Sequence, residues 1–159
     1  MNEVSLYYSY AMDKKKEYDA VMRCARNYLG LNAIDLHIIH NSYGKPDFDC
    51  CMHFNISHSK DLWVCAIYKD EIGVDTEFIR SRDYAKVAAY ALQSSPQNTI
   101  DFYRDWCKKE SYLKYKGVGL SEIGKPVDEL LTYTYVELDE NYITCICTEK
   151  EIEVKKIEL

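Results

Sequence analysis

The chain has 159 residues, of which 47% are apolar and 29% charged, a composition typical of a soluble globular domain and unlike that of a disordered chain. Its formal net charge of −6 argues against a general nucleic-acid-binding protein, because such proteins carry a basic face. An anionic ligand would therefore need a local basic pocket or a bound cation. We predict a single compact domain over residues 1–159 with no nucleic-acid partner.

The sequence favours a cytoplasmic location. The amino terminus, MNEVSLYYSY, lacks a basic segment followed by a long apolar one, so we predict no secretory signal. No apolar run reaches the roughly 18 residues that a transmembrane helix needs, and we expect no membrane partner. Seven cysteines, an odd number, are a poor basis for a disulfide framework, so we expect them to be reduced.

The amino-terminal part of the chain predicts a strand, a helix and a second strand. Residues 3–10 are aromatic and β-prone, and residues 17–29 carry apolar side chains at helical spacing before Gly30, a natural helix cap. Residues 34–40 predict a short strand. Five basic side chains decorate the helix: Lys14, Lys15, Lys16, Arg23 and Arg26. They are most simply a solvated face, and the alternative is that some contact an anionic ligand.

The middle of the chain predicts turns and strands. Residues 41–46 are rich in Asn, Ser, Gly and Pro and predict a turn. A short extended segment over 54–57 leads into a polar turn at 57–59. The apolar run 62–68 predicts a buried strand, and residues 62–77 together predict a β-hairpin.

The carboxy-terminal part predicts two helices and then strands. A helix over 82–92 precedes a long helix that we expect to begin at Ser95-Pro96 and to end around 117–119. Three strands follow, over residues 131–138, 142–147 and 152–157. This order predicts an α+β fold of two similar halves, about 1–77 and 78–159, although the sequence contains no clear internal repeat.

The long helix carries the first candidate site. Its period places Trp106, Glu110 and Lys114 on one face. A lone Glu/Lys pair at this spacing is usually a surface salt bridge worth roughly 0.2–0.5 kcal/mol. Upstream, Asp75 and Glu77 lie two residues apart on a predicted strand and therefore share a face. Carboxylates brought together in this way are exposed turn residues in most proteins, but they are also the ligands that Mg²⁺ prefers.

A second constellation is basic and polar. Lys45 and His58 can donate to phosphate, and Ser57 can add a hydroxyl or a backbone N–H. Taken singly, the simpler interpretations are a solvated lysine and a structural histidine. We also considered a metal cluster of cysteines and histidines, but its spacing matches no common zinc pattern, and no cysteine lies in a recognisable nucleophile context. The members of that cluster are Cys50, Cys51, His53 and His58.

Four motifs occur in order between residues 44 and 120. Together they resemble the Sfp-type 4′-phosphopantetheinyl transferases, whose pattern is G-[KR]-P, FN-[IL]-SHS, G-[IV]-D-x-E and W-x-x-K-E-[AS]-x-x-K-x-x-G-x-G-[LF]. The matching segments are Gly44-Lys45-Pro46, Phe54-Asn55-Ile56-Ser57-His58-Ser59, Gly73-Val74-Asp75-Thr76-Glu77 and WCKKESYLKYKGVGL from Trp106 to Leu120. Each motif alone is weak, whereas four in this order are specific.

The resemblance implies Mg²⁺-dependent transfer of the 4′-phosphopantetheine arm of coenzyme A to a serine of an apo acyl- or peptidyl-carrier protein, with release of 3′,5′-ADP. By the same resemblance, Asp75, Glu77 and Glu110 hold Mg²⁺ against the pyrophosphate. Glu110 also accepts the serine proton, and Lys114 stabilises or protonates the leaving group.

The resemblance further implies that Lys45, Ser57 and His58 grip the nucleotide, chiefly its 3′-phosphate, and that the fold has two similar halves. We expect a monomer, because both the FNISHS and WCKKES segments lie in one chain; the alternative is a homotrimer like the shorter holo-acyl-carrier-protein synthases. A different alternative for the function is a degenerate member of the family that binds coenzyme A or a carrier protein without transfer.

Overall fold

The chain folds into two principal β-sheets, each covered by a helix, in a computed structural model that describes residues 2–30 and 35–159. The strands are β1 (Glu3–Tyr10), β2 (Ile38–His40), β3 (Pro46–Phe48), β4 (His53–Ser59), β5 (Leu62–Tyr68), β6 (Gly73–Phe78), β7 (Thr132–Tyr135), β8 (Tyr142–Thr148) and β9 (Glu153–Glu158). The helices are α1 (Glu17–Leu29), α2 (Ala85–Val87), which continues as a π-helical turn over Ala88–Leu92, and α3 (Thr99–Lys116). The α+β class is confirmed. None of the helices in the described part of the chain is long and apolar enough to cross a membrane.

The first sheet has the strand order β4-β5-β1-β9, with β1 antiparallel to β5 and parallel to β9. Strand β5 is buried along its whole length because both of its faces are covered. Trp63, Cys65 and Ile67 face α1, whereas Val64 and Ala66 face the second sheet. This burial explains why the run LWVCAIY is continuously apolar rather than alternating.

The second sheet has the order β6-β8-β7, and α3 packs against it. The molecule is therefore layered as α1, first sheet, second sheet and α3. Gly73 at the start of β6 packs tightly on α3, because a Cβ atom there would overlap the backbone oxygen of Ser111. Because glycine has no side chain, β6 and α3 can pack closely here, and the carboxylates of β6 lie next to the polar side chains of α3.

The predicted hairpin over residues 62–77 is wrong. Strand β5 already pairs with β4 on one side and β1 on the other, so its backbone groups cannot also pair with β6. The actual hairpin joins β4 to β5 through Lys60 and Asp61, with Lys60 in the left-handed region at φ 52°. The predicted polar turn at 57–59 is instead the end of β4.

Sheet pairing crosses the predicted boundary between the halves. Strand β6 pairs with β8 in the second sheet, and β9 at the end of the chain pairs with β1 in the first. The two similar halves, divided near residue 77, stay a prediction. The predicted strand over 34–40 corresponds to β2, and Ile34 lies outside the described residues.

The edges of the two sheets are joined by a ladder from side chains to backbone. Strands β4 and β6 are edge strands of different sheets, and alternate side chains of β4 accept hydrogen bonds from alternate N–H groups of β6. The pairs are Val74 N–H to Asn55 Oδ1 at 2.8 Å, Thr76 N–H to Ser57 Oγ at 3.2 Å and Phe78 N–H to Ser59 Oγ at 2.9 Å. The N-x-S-x-S spacing within FNISHS thus satisfies an edge strand that would otherwise be unpaired.

The long helix begins later than predicted. Asn98, not Ser95, is its cap: the side chain Oδ1 accepts from the Asp101 N–H at 2.9 Å. An asparagine side chain is a good acceptor for the unpaired N–H groups of a first helical turn. The helix ends as predicted at Gly117, whose φ of 64° is the left-handed conformation favoured by glycine.

Candidate active site

Asp75 is the centre of the candidate site. It lies on β6 and is 3% exposed, and its Oδ1 accepts two hydrogen bonds. Lys114 of α3 donates from Nζ at 2.9 Å, and Ser57 of β4 donates from Oγ at 2.9 Å. The close packing of α3 on β6 thus brings the predicted strand carboxylate and the predicted helix lysine into direct contact.

The second oxygen of Asp75 has a different environment. Asp75 Oδ2 is buried and has no hydrogen-bond partner among the residues that the structure describes. Leaving a buried carboxylate oxygen without a partner is costly, so native structures rarely tolerate it without a reason. A cation beside Oδ2 would satisfy it.

Two further carboxylates complete the acidic centre. Trp106 Nε1 donates to Glu77 Oε1 at 3.2 Å. Burial, followed by the negative charge of Asp75, raises the pKa of Glu77 to about 7, against the opposing effects of Trp106 and Lys114. Burial and Asp75 likewise raise the pKa of Glu110. One lysine does not neutralise three carboxylates, and the remaining negative charge favours a bound cation.

Lys114 keeps its proton in this setting. Burial opposes the charged form, but the charge and hydrogen bond of Asp75, together with the charge of Glu110, raise the pKa of Lys114 above its usual value. The ammonium group is therefore a donor at neutral pH.

The donor set fits Mg²⁺. This ion takes oxygen ligands, commonly one or two carboxylates completed by water and phosphate oxygens. Asp75 supplies an unpartnered oxygen, and Glu77 and Glu110 supply carboxylates whose negative charge is not fully neutralised. Their ligand atoms are not mutually within 4.8 Å, a spacing that the described residues meet only at Asp47, His53 and Glu71. Water or phosphate oxygens would therefore have to complete the coordination.

The carboxylates of the tighter group already have basic partners. His53 Nδ1 lies 2.6 Å from Asp47 Oδ2, and the Lys45 ammonium pairs with Glu71. Lys45 supplies the positive charge that a metal would bring. We therefore assign this group to a salt-bridge network rather than to a metal site.

The structure separates the three residues that were predicted to form one basic cradle. The Lys45 ammonium donates to Glu71 and to the carbonyls of Ile72 at 3.2 Å and Tyr115 at 3.4 Å. Three donors are all that a lysine has. Lys45 thus ties β6 to the end of α3, and its stem lines a cavity of about 210 Å³ next to Lys114.

Ser57 and His58 lie on opposite faces of β4, as adjacent residues of a strand must. Ser57 is buried between the sheets, whereas His58 is exposed and lines a cavity of about 230 Å³ on the α1 side. Lys14 and Lys60 line the same cavity. Among the five basic residues around the first helix that were considered as contacts of an anionic ligand, Lys14 is the one that lines the His58 cavity. Lys60 was not predicted as a contact.

A larger cavity of about 560 Å³ adjoins Glu77. Its floor is aromatic, from Phe102 and Trp106, and its rim carries Arg80 and Arg82. Neither arginine was predicted from the sequence, because two basic residues after a strand have no pattern of their own. Their position beside Glu77 becomes visible only when α3 packs on β6.

Cysteine chemistry has no support in the described chain. All seven cysteines are free. Cys107, the one nearest the acidic centre, donates from Sγ to the Asp75 carbonyl at 3.2 Å, and burial raises its pKa far above the usual range. A buried thiol of this kind stays protonated and inert. Cys50 and Cys51 are exposed and do not line the His58 cavity.

The chain is similar in sequence to several proteins named as 4′-phosphopantetheinyl transferases. No protein-family model matches the chain. The chain is 40% identical over 89 residues to 4′-phosphopantetheinyl transferase gsp of Aneurinibacillus migulanus, covering 50% of this chain and 38% of that one. It is 31% identical over 147 residues to 4′-phosphopantetheinyl transferase ffp of Bacillus subtilis, covering 77% and 61%. Over the same length it is 28% identical to 4′-phosphopantetheinyl transferase Sfp of Bacillus subtilis strain 168, also covering 77% and 61%.

The chain is related to the Sfp-type 4′-phosphopantetheinyl transferases. The resemblance predicted from the four motifs is thereby confirmed. The chain nevertheless spans only 38% to 61% of the length of these three transferases, so it matches a part of each relative. Within this chain, the segments GVDTE and WCKKESYLK supply the residues of the acidic centre, and FNISHS supplies the ladder that joins the sheets.

Proposed function

We propose that the protein transfers the 4′-phosphopantetheine arm of coenzyme A to a serine of an apo acyl- or peptidyl-carrier protein, in the presence of Mg²⁺, and releases 3′,5′-ADP. The observation that carries the proposal is the acidic centre: a buried, unpartnered Asp75 oxygen beside two carboxylates of raised pKa and one protonated lysine. The relatives named as transferases support the same reaction.

Asp75, Glu77 and Glu110 would hold the metal ion. When bound, Mg²⁺ supplies positive charge that offsets the charge of the pyrophosphate and of the leaving oxygen. The raised pKa of Glu110 makes this carboxylate a stronger base than an ordinary glutamate. It accepts the proton of the carrier serine, directly or through water.

The serine oxygen forms a bond to the phosphorus that bears the pantetheine arm, and the bond from that phosphorus to the bridging oxygen of the pyrophosphate breaks. The leaving oxygen remains on 3′,5′-ADP. Lys114, protonated and aimed at Asp75, donates a hydrogen bond or a proton to that oxygen. The serine proton goes to Glu110, so the step balances without any other reactant.

Two cavities suit the nucleotide. We assign the 3′-phosphate to the cavity of His58, where Lys14 and Lys60 add positive charge against Glu17 and Asp61. The cavity beside Lys114, lined by the stem of Lys45, suits the nucleoside. Lys45 would then contact the cofactor through its stem rather than through its ammonium.

The cavity beside Glu77 suits the carrier protein. Carrier proteins must bring a serine to the pyrophosphate, and this cavity opens next to the acidic centre. Its exposed Arg80 and Arg82 would attract an acidic partner. Val87 also lines this cavity and would influence the choice of carrier.

We propose that the protein works as a cytoplasmic monomer. All residues of the acidic centre come from one chain, which supports a site that needs no second copy. Sedimentation in an analytical ultracentrifuge tests this: a homotrimer would contradict it.

The test of the reaction is the intact mass of two apo carriers, one acyl and one peptidyl, after incubation with the protein, coenzyme A and Mg²⁺. A Mg²⁺-dependent gain of one phosphopantetheine arm on either carrier is the expected result. A second candidate function is binding of coenzyme A or a carrier without transfer. Coenzyme A binding by calorimetry with no mass gain on both carriers would favour it.

A further inference from the structure

Ser57 has no hydrogen-bond donor to spare. A serine hydroxyl has one proton, and Ser57 donates it to Asp75 Oδ1 at 2.9 Å. Ser57 Oγ also accepts a hydrogen bond, from the backbone N–H of Thr76 at 3.2 Å. The residue is buried between the two sheets. Both functions of the hydroxyl are therefore used inside the protein.

Because its one proton is already donated to Asp75, Ser57 is poorly placed to make the predicted contact with phosphate. A phosphate oxygen can only accept, so a serine side chain binds it only with its single proton. Donating that proton to phosphate would leave Asp75 Oδ1 with Lys114 as its one partner. His58, the next residue, does not contact Asp75, because it faces the other side of β4.

We propose that Ser57 is a positioning residue that orients Asp75. This inference rests on the proposed function of the acidic centre. Ser57 and Lys114 approach the same oxygen, Oδ1, from different elements. Two donors on one oxygen fix the plane of the carboxylate and leave Oδ2 as the oxygen that faces a cation. The Thr76 N–H in turn donates to the Ser57 hydroxyl and fixes its position. The alignment of β4 with β6 therefore determines how Ser57 orients the Asp75 side chain.

The chain offers a matched control two residues away. Ser59 occupies the equivalent position in the same ladder, where its Oγ accepts from the Phe78 N–H at 2.9 Å. Among the described residues it has no hydrogen bond to a carboxylate. Ser57→Ala and Ser59→Ala therefore each remove one hydroxyl and leave one β6 N–H without its acceptor. Only Ser57→Ala also removes the donor to Asp75.

The decisive experiment measures metal binding and nucleotide binding separately. Mn²⁺ replaces Mg²⁺ as the probe, because its binding is followed by electron paramagnetic resonance in the presence of coenzyme A. We expect Ser57→Ala to weaken Mn²⁺ binding by roughly 10-fold or more, the factor that corresponds to a hydrogen bond to a charged group. Ser59→Ala should stay close to wild type.

Calorimetry without metal then compares coenzyme A with 3′-dephospho-coenzyme A. A positioning role leaves the ratio of the two affinities unchanged in Ser57→Ala, whereas His58→Ala reduces it. If Ser57→Ala lowers that ratio as His58→Ala does and leaves Mn²⁺ binding intact, Ser57 is a phosphate ligand and the proposal is overturned. Equal weakening of Mn²⁺ binding in Ser57→Ala and Ser59→Ala would also overturn it, since the ladder alone would then be responsible.

These measurements are independent of transfer. Mn²⁺ binding that depends on Ser57, in a protein that modifies neither carrier, would support the positioning role and contradict the transferase. Transfer that is unaffected by Ser57→Ala at limiting Mg²⁺ would contradict the positioning role and leave the transferase intact. Thermal unfolding of both variants checks that the fold is retained, and Ser57→Thr, which keeps the hydroxyl, should restore Mn²⁺ binding.

Discussion

Two regions of this molecule combine carboxylates with a lysine, and they differ in charge balance. In the acidic centre, Asp75, Glu77 and Glu110 face Lys114 alone, and a buried Asp75 oxygen has no partner in the described chain. In the second region, the salt-bridge network, Asp47 and Glu71 meet both Lys45 and His53.

The difference shows that short distances do not by themselves identify a metal site. The salt-bridge network has the tighter spacing, with ligand atoms within 4.8 Å of one another, yet its carboxylates already pair with basic side chains. The acidic centre is more widely spaced but keeps negative charge and an unsatisfied oxygen. A cation lowers the free energy most where the protein has left charge uncompensated.

The largest expected effect is that of Asp75→Asn. The variant keeps the shape of the side chain but removes the charge that attracts the metal, and the stabilisation a metal supplies is worth several kcal/mol. We expect the transfer rate, measured by carrier mass gain at saturating coenzyme A, to fall by about 10⁴-fold or more, because each loss of about 1.4 kcal/mol lowers a rate tenfold. Asp47→Asn in the salt-bridge network is the control and should leave the rate near that of wild type. An equal fall in the transfer rate of both variants would contradict the conclusion that only the acidic centre binds the metal.

The second prediction compares the two lysines. Lys114→Met removes the donor to the leaving oxygen, and we expect the rate to fall by roughly 10²- to 10⁴-fold, the usual range for a proton-transfer group. Lys45→Met removes the tie between β6 and the end of α3, so it should lower the melting temperature. Its affinity ratio for coenzyme A and 3′-dephospho-coenzyme A should stay unchanged. A lowered ratio in Lys45→Met would instead identify its ammonium as a phosphate ligand.

Local patterns allowed much of the acidic centre to be predicted. Asp75 and Glu77 are two apart on a strand, and Glu110 and Lys114 are four apart on a helix, so periodicity alone assigns each pair to a face. The resemblance assigned both pairs to one site, but the direct contact of Lys114 Nζ with Asp75 Oδ1, between residues 39 positions apart, was not predicted. The helix end at Gly117 was likewise a local signal.

Pairings between distant segments were not predictable in this way. The hairpin over 62–77 was wrong because adjacent strands in sequence belong to different sheets. The role of FNISHS was missed for the same reason, since its serines accept from a strand 19 residues away. Lys45 was expected in a phosphate cradle, yet one of its acceptors, the Tyr115 carbonyl, lies 70 residues along the chain.

The third prediction uses the pH dependence of stability. The pKa of Glu77 is raised from 4.5 to about 7 in the folded protein, so the unfolded chain ionises at lower pH than the folded one. The stability contributed by the protonated carboxyl is fully present below the unfolded pKa and is lost as pH rises through the folded value. The free energy of unfolding in urea, measured without metal, should therefore fall between about pH 4.5 and 7.

Glu77→Gln should reduce this slope, because the amide has no proton to lose, and Glu110, whose pKa is also raised, should account for a slope that remains. Saturating Mg²⁺ should flatten it as well, since a bound cation favours the ionised carboxylate. Glu71→Gln, in the salt-bridge network, is the control and should retain the slope. A wild-type stability that rises across this pH range would contradict the assignment of Glu77 as the buried carboxyl responsible.

The smallest expected effect tests the salt-bridge network directly. His53→Gln removes the partner of Asp47 but leaves the pair of Lys45 with Glu71, and exposed or half-exposed ion pairs contribute only about 0–1 kcal/mol. The unfolding free energy should change by no more than about that amount. The number of Mn²⁺ ions bound, counted by electron paramagnetic resonance, should stay the same as in wild type. One ion fewer in His53→Gln would show that proximity of ligand atoms outweighs the local charge balance, because Mn²⁺ would then have displaced Lys45 from Glu71.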